Sequence, residues 1–335
     1  MRIYSFITVA LIICSLQACT QTPTWKGKLV YGFSASISSY TFSNKTDKIL
    51  FAEGEQPFVA ANGDIYFLNL KFPKVKELIK KYTPAGQFKN ILDMSSDNPA
   101  YKAAIDDYSF IRGTGISGIL YGMSDARISP DSKYISMTIY GGSGRAFTKN
   151  CVAVFDIATK TLVKQFDDKY YPNWTKDGQL IMCGTHKNAS VNQSTYDAKT
   201  PGIFITDKSL EQLQRIDPEL DDPSPYHATV SPDATKVAYI LNGHVWVMDI
   251  NGKNNHQLTD IDRDNEETYP VFSPDSKFVA CWSYKSFERS YFTAIAIVPV
   301  NAKTAVALTD KALVWPRDLK NKRISGGAGQ LNWLK

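Results

Sequence analysis

Short apolar runs punctuate this chain, each stopping at a turn signal instead of continuing at helical spacing. The clearest stretch runs from Tyr226 to Asp260. Val237 to Leu241 forms one run and His244 to Ile250 a second, Asn251-Gly252 ends the second with a turn, and His256-Gln257-Leu258-Thr259 opens the last. Runs of this length, rich in β-branched and aromatic residues and bounded by Gly, Pro, Asn and Asp, predict strands joined by hairpins. No apolar period of 3.6 residues is found along the chain, so helical repeats are excluded.

The turns recur. Asp131, Asp177, Asp233 and Asp275 each sit between two such runs, in Ile128-Ser129-Pro130-Asp131, Trp174-Thr175-Lys176-Asp177, Val230-Ser231-Pro232-Asp233 and Phe272-Ser273-Pro274-Asp275, at spacings of 46, 56 and 42 residues. A period near 45 residues, with four short strands in each, is the mark of propeller blades. Proline presets the turn's backbone angle and the aspartate bonds its own backbone amides, so each turn is a structural hairpin between the first two strands of a blade. Cys151 to Ile157, Gly202 to Thr206 and Ala294 to Val298 supply third strands in other blades, and Leu308-Thr309 repeats the closing Leu258-Thr259 pair.

This pattern resembles the TolB-type propeller repeat over roughly residues 125 to 310: a serine-proline-aspartate turn, a hydrophobic strand, an aromatic-rich third strand and a closing leucine-threonine. The residue after the aspartate is glycine only at Gly178, and Ser132, Ala234 and Ser276 elsewhere. The resemblance implies an all-β propeller that acts by binding partners. It is confined to the repeat, since the separate α/β domain of TolB proteins has no counterpart in the pattern.

Outside that span, Pro57 to Leu68 reads as a first and second strand whose blade continues to about Asp93. Gln330 to Lys335 looks like a first strand with no second, and Gly27 to Tyr31 like a second strand with no first. Joined, the two ends make one blade and remove two free sheet edges. The expected fold is a six-bladed β-propeller, with the closing blade shared between the termini and the others starting near 55, 125, 170, 226 and 268. Residues 97 to 124 leave room for a seventh.

The first residues carry a different signal. Arg2 precedes the apolar run Ile3 to Leu16, and Leu16-Gln17-Ala18-Cys19 closes it with small residues before a cysteine. This is a lipobox, in which Cys19 is the lipid acceptor. The run is shorter than the roughly 20 residues that span a bilayer. Residues 1 to 18 are thus expected to be a signal peptide, 19 to 25 a lipidated tether and 26 to 335 a single propeller. Thr20 follows the cysteine where aspartate would favour inner-membrane retention, so an outer-membrane lipoprotein facing the periplasm is expected. Cys151, Cys183 and Cys281 lie in apolar strand-like runs and are expected to be buried thiols.

Hydrophobic residues make up 43% and charged residues 21% of the chain, which suits one well-buried core. The net charge of +5 is scattered without basic runs, so no nucleic-acid partner is expected. The four histidines, His186, His227, His244 and His256, show no metal-binding spacing, and the nucleophile-elbow pattern is absent. Gly141 to Arg145 lies between two strands instead of ahead of a helix and reads as a blade loop. No catalytic set, metal or cofactor is expected.

A tyrosine stands at the start of three blades: Tyr171 before Pro172, Tyr226 before His227 and Tyr269 before Pro270. The innermost strands line a propeller's channel, so these residues and His227 converge on its mouth. They either wedge between blades as packing or form a binding ring, since a phenol offers a rigid face and one hydroxyl. Two functions are compatible with this. The first is a non-enzymatic, monomeric envelope lipoprotein that binds an envelope protein or small ligand there, anchored to the membrane through Cys19. The alternative is a carbohydrate-active, lyase-type enzyme, a class whose related repeats carry metal-binding histidines, for which His227 is the single candidate.

Overall fold

The computed structural model describes residues 25–33, 35–71, 76–93, 119–143, 147–187, 199–217, 224–261, 266–287, 290–326 and 329–335. Among them the chain forms 25 strands and no helix. Strands β1 (Lys28–Phe33), β2 (Ser36–Thr41) and β3 (Thr46–Phe51) come first. The first full blade is β4 (Glu55–Val59), β5 (Ile65–Lys71), β6 (Lys76–Tyr82) and β7 (Phe88–Asp93). The second is β8 (Ile119–Ile128), β9 (Tyr134–Ser143), β10 (Phe147–Asp156) and β11 (Leu162–Asp167). The third is β12 (Lys169–Trp174), β13 (Leu180–Lys187), β14 (Lys199–Thr206) and β15 (Leu213–Arg215). The fourth is β16 (Tyr226–Val230), β17 (Lys236–Leu241), β18 (His244–Asp249) and β19 (His256–Gln257), followed by the short β20 (Thr259–Asp260). The fifth holds β21 (Glu267–Phe272), β22 (Phe278–Phe287) and β23 (Ser290–Pro299), after which come β24 (Val306–Ala307) and β25 (Leu331–Leu334).

The sixth blade is a seam. Its strand order is β25-β1-β2-β3, so the last strand of the chain pairs with the first, Leu29 opposite Trp333 and Tyr31 opposite Leu331. Asn332 clips this strand to the first blade: its Nδ2 donates to the Pro57 carbonyl at 2.7 Å and its Oδ1 accepts the Val59 amide at 3.3 Å. The Trp333 ring stacks on Phe42 at 5.1 Å. The described strands therefore close as a six-bladed propeller, and the seventh blade is not needed to complete the ring. Residues 97–118 of the stretch that left room for it lie outside the described residues, and 119–124 belong to β8.

Alternating strands put apolar side chains on both faces of every blade, and each blade buries them against its two neighbours. Six apolar clusters result, one in each cleft between blades. The cleft beside the seam shows the scale, with Trp282 and Ile297 of the fifth blade against Leu29, Tyr31 and Trp333. Fully burying one such side chain stabilises by roughly 1.5–3 kcal/mol. Cys151, Cys183 and Cys281 are buried, unbridged thiols in three different clusters.

The turns behave as their chemistry requires. In the fourth blade the Ser231 hydroxyl donates to Asp233 Oδ1 at 2.6 Å and accepts the Lys236 amide at 2.9 Å. The residue after the aspartate is left-handed in all four turns, with φ of 59° at Ser132, 84° at Gly178, 60° at Ala234 and 60° at Ser276. The hydrogen bonds thus hold the turn without requiring glycine.

One expectation fails. Leu308-Thr309 does not close the fifth blade: the preceding β24 pairs in parallel with β20, at the exit of the fourth blade. The outer side of β23 is bridged instead by Val314, opposite Ile297, and by Ser325, opposite Ala294. Burial decides this route, since Val306 is 1% exposed in the cluster that contains Leu258. The signal, Cys19 and the tether as far as residue 24 lie outside the described residues, as do Gly144 and Arg145, whereas Gly141, Gly142 and Ser143, expected in a blade loop, extend β9 by pairing with Lys149, Thr148 and Phe147. Among the described residues no helix is long and apolar enough to cross a membrane.

Candidate functional site

The innermost strands of the five blades other than the seam share a defect. Pairing with the second strand slips between Glu55 and Phe58, Ser124 and Arg127, Tyr170 and Asn173, Tyr226 and Thr229, and Thr268 and Val271. At each bulge one residue is left-handed: Gln56 (φ 48°), Asp125 (54°), Tyr171 (53°), His227 (53°) and Tyr269 (50°). A bulge re-aims a side chain and ends local pairing. It also frees a backbone amide, and side chains of preceding blades satisfy three of these. Gln56 Oε1 accepts the Asp125 amide at 2.8 Å, Thr138 Oγ1 the Tyr171 amide at 2.9 Å, and His227 Nδ1 the Tyr269 amide at 3.4 Å.

These residues converge. Asp125, Arg127, Tyr171, His227, Tyr269 and Leu331 line a constriction of about 20 Å³ in the central channel. The imidazole of His227 lies between two phenols, stacked on Tyr269 with ring centres 3.8 Å apart and meeting Tyr171 edge-on at 4.2 Å. Below the turns, a funnel of about 770 Å³ opens from the constriction, with Phe58, Arg127, Trp174, Val230, Phe272 and Trp333 among its walls. At the opposite end of the same strands a second opening is lined by Tyr170, Tyr226 and Glu266.

Of the four residues expected at the site, Tyr171, His227 and Tyr269 occupy equivalent positions and meet. Tyr226 does not belong with them. It stands one position earlier, in register with Tyr170 and Thr268, because the bulge makes His227 the equivalent of the other two tyrosines. A shift of one residue moves a strand's side chain to the other side. Tyr226 still touches the group, 5.1 Å from the His227 ring and 6.2 Å from Tyr171. The pattern did not single out Asp125, Arg127 or Gln56. A usable signal was present, since Gln56, Asp125, Tyr171, His227 and Tyr269 all stand six residues ahead of the turn's Asn62 or Asp.

The electrostatics follow from enclosure. Burial, reinforced by the Arg127 charge, pushes the His227 pKa down to about 3, so the ring is neutral at physiological pH. Burial raises the Asp125 carboxyl, and the Ser124 hydrogen bond and Arg127 only partly oppose it. Burial also lowers the Arg127 guanidinium to about 10, against the pull of Asp125. The Tyr171 phenol is pushed up to about 12, first by burial and then by Asp125. Two polar atoms here are enclosed without a hydrogen-bond partner: Asp125 Oδ1 and His227 Nε2. Among the described residues no three His, Cys, Asp or Glu side chains gather as a metal site.

No family model matches this chain, and no curated protein matches it in sequence. Similarity emerges in three dimensions. TolB from Acinetobacter baumannii superimposes with a TM-score of 0.55 at 15% identity, over 84% of this chain and 65% of that one, so this chain spans under two thirds of its length. A TolB-type protein of Agrobacterium tumefaciens gives a TM-score of 0.52 at 12% identity, over 92% of this chain and 98% of that one. At such identities the likeness shows the fold, and the chain carries a β-propeller of the kind found in TolB-like proteins.

Proposed function

We propose that this propeller is a non-enzymatic binding scaffold of the bacterial cell envelope, held by a lipid on Cys19 at the outer membrane and facing the periplasm. Its funnel receives a segment of an envelope protein or a small ligand. The observation that carries this reading is the funnel itself: about 770 Å³, walled by side chains from all six blades. That volume lies in the range of ligand sites, roughly 300–1,000 Å³, and the mixture of aromatic walls with a few polar groups is what such sites use. The Asn173 and Asn332 amides on its wall are already engaged, by Thr229 Oγ1 at 3.0 Å and by the Pro57 carbonyl at 2.7 Å, so the wall is preorganised. A rigid surface loses little entropy on binding.

Lys176 sits at the rim, and a photo-crosslinking residue there tests the reading in intact cells. The expected result is a discrete adduct at position 176 that is absent from position 303 on the outer edge and lost in Trp174→Ala. Adducts of equal yield at both positions would overturn it. The lyase alternative makes the opposite demand: a stoichiometric divalent cation in the purified protein and cleavage of oligogalacturonate, both abolished by His227→Gln. Finding both would replace the scaffold reading.

A further inference from the structure

We propose that the floor of the funnel is a carboxylate site that captures the free C-terminus of an extended peptide, with Arg127 and the Nε2–H of His227 as its donors. This rests on the funnel being the binding surface, and it names the chemistry that the surface accepts.

The charged side chains lining the funnel are Lys28, Arg127, Lys176 and Lys335, and no Asp or Glu is among its walls. The funnel walls therefore draw anions inward, low-dielectric surroundings concentrate that field, and at the floor Arg127 stands against the single carboxyl of Asp125, whose ionised form burial disfavours. At the floor, His227 Nδ1 accepts the Tyr269 amide, which assigns the ring proton to Nε2, and that donor is enclosed with no partner. A buried donor left unpaired costs about 1–3 kcal/mol, which an arriving acceptor recovers. Among the described residues Arg127 donates one hydrogen bond, to the Ala126 carbonyl at 3.3 Å, and its guanidinium forms no direct ion pair, Asp125 attracting it from beyond contact distance. The rest of its fork is free to meet a carboxylate in the bidentate manner that guanidinium favours.

Asp125 selects what carries the carboxylate. It is 2% exposed and its Oδ1 accepts nothing within the protein, while its Oδ2 accepts the Ser124 hydroxyl at 2.6 Å. An acceptor set beside two donors complements the end of a peptide, where the last amide N–H lies next to the terminal carboxylate. Size selects as well. The constriction, about 20 Å³, has room for a group little larger than one water. A planar carboxylate reaches the constriction alongside the Tyr171–His227–Tyr269 stack, whereas a sugar acid's pyranose ring is held back in the funnel. Chain-end capture by converging donors is an established mode of peptide recognition.

The test uses the full chain with ¹⁵N-labelled histidine, following the His227 Nε2 resonance, identified by its loss in His227→Gln, together with titration calorimetry. Three probes are compared: N-acetyl-Gly-Gly-Ala-Ala as the free acid, the same peptide as the C-terminal amide, and galacturonate. The free acid is expected to shift the His227 resonance and to bind at least tenfold more tightly than the amide. Arg127→Gln should bring the acid down to the amide's affinity. Should that variant melt early, the acid-to-amide ratio on the unaltered protein decides by itself. Equal binding of acid and amide, or an unmoved His227 resonance, overturns the proposal; a galacturonate shift in place of the peptide's transfers the site to sugar acids and also overturns it. A position-176 adduct that persists when the acid shows no preference leaves the funnel reading intact, and loss of both removes both.

Discussion

The fourth blade and the seam blade reach the same sheet by different means. In the fourth, one continuous chain runs from β16 to β19, and its first two strands are joined by the Ser231–Asp233 turn, whose bonds are local. In the seam, the equivalent junction is not covalent: β25 is held against β1 by its antiparallel ladder and the burial of Leu331 and Trp333, and against the first blade by Asn332. The inner strands differ too. β16 bulges at His227, while β25 pairs without a slip, with Leu331 and Asn332 directly opposite Tyr31 and Val30. Where the ring must hold, the inner strand is straight; where the channel carries polar chemistry, it is bulged and left-handed. Closure and recognition thus use different versions of one repeat.

The largest effect is expected from breaking the seam. Deleting residues 328–335 removes β25, exposing β1 as a free edge and taking away Leu331 and Trp333, which are 4% and 7% exposed. Loss of a buried leucine and a buried tryptophan costs several kcal/mol, so the melting temperature should fall by about 10 °C or more. A truncated chain that melts with the parent would show that the termini do not carry the ring.

Next in size is the bulge. The His227 pKa is about 3 in the folded chain against an ordinary 6.5. Below pH 6.5 the unfolded chain takes up a proton that the folded chain refuses, so stability falls as pH drops from 6.5 toward 3. Between pH 6.5 and pH 4 this amounts to about 2–3 kcal/mol at 1.4 kcal/mol per pH unit. His227→Gln should flatten that slope, and glutamine suits the backbone, since Gln56 already holds the same left-handed position in the first blade. Asp125 and Glu267, whose pKa values burial raises, titrate in the opposite sense in both proteins and cancel in the difference. Parallel curves of melting temperature against pH would show that the His227 ring is solvated.

Legibility in the residues divides along the same line. The blades were legible because the Ser-Pro-Asp turn is local chemistry: a hydroxyl, a carboxylate and three amides within six residues dictate a hairpin wherever they occur. The seam was legible because two unmatched strands must pair. Its partners in Asn332 and Pro57 lie far apart in the chain and were not. The site was half legible. Tyrosine at a strand start is visible, but a bulge changes the parity of everything after it, which put Tyr226 in the ring alongside His227 although only His227 is the equivalent of Tyr171 and Tyr269. Asp125 and Arg127 escaped because charged residues on an apolar strand carry no periodic mark; the six-residue offset from each turn locates the bulge. The paths of β24 and the Val314–Ser325 segment depend on which cleft has room for Val306, a property of packing alone.

The smallest effect is expected at Gly178, and it tests whether the repeat's turn is held by its hydrogen bonds. Gly178 has φ of 84°, and a Cβ added there would meet nothing within 4 Å, so backbone conformation is the whole cost. Left-handed backbone disfavours a non-glycine residue by about 1–2 kcal/mol. The same position holds Ala234 in the fourth blade at φ 60°, where the Ser231 and Asp233 bonds sustain it. The third blade has Thr175 Oγ1 in the serine's place, accepting the Gln179 amide at 3.1 Å. Gly178→Ala should therefore cost about 1 kcal/mol, read as a shift of a few degrees in thermal melting. The reverse change, Ala234→Gly, should move stability by less than that, since relief of left-handed strain is offset by the extra freedom of glycine in the unfolded chain. A loss of about 3 kcal/mol or more at Gly178, well above that left-handed cost, would mean that the third blade's turn, with Lys176 where the others carry proline, depends on glycine after all, and that the four turns are not one device.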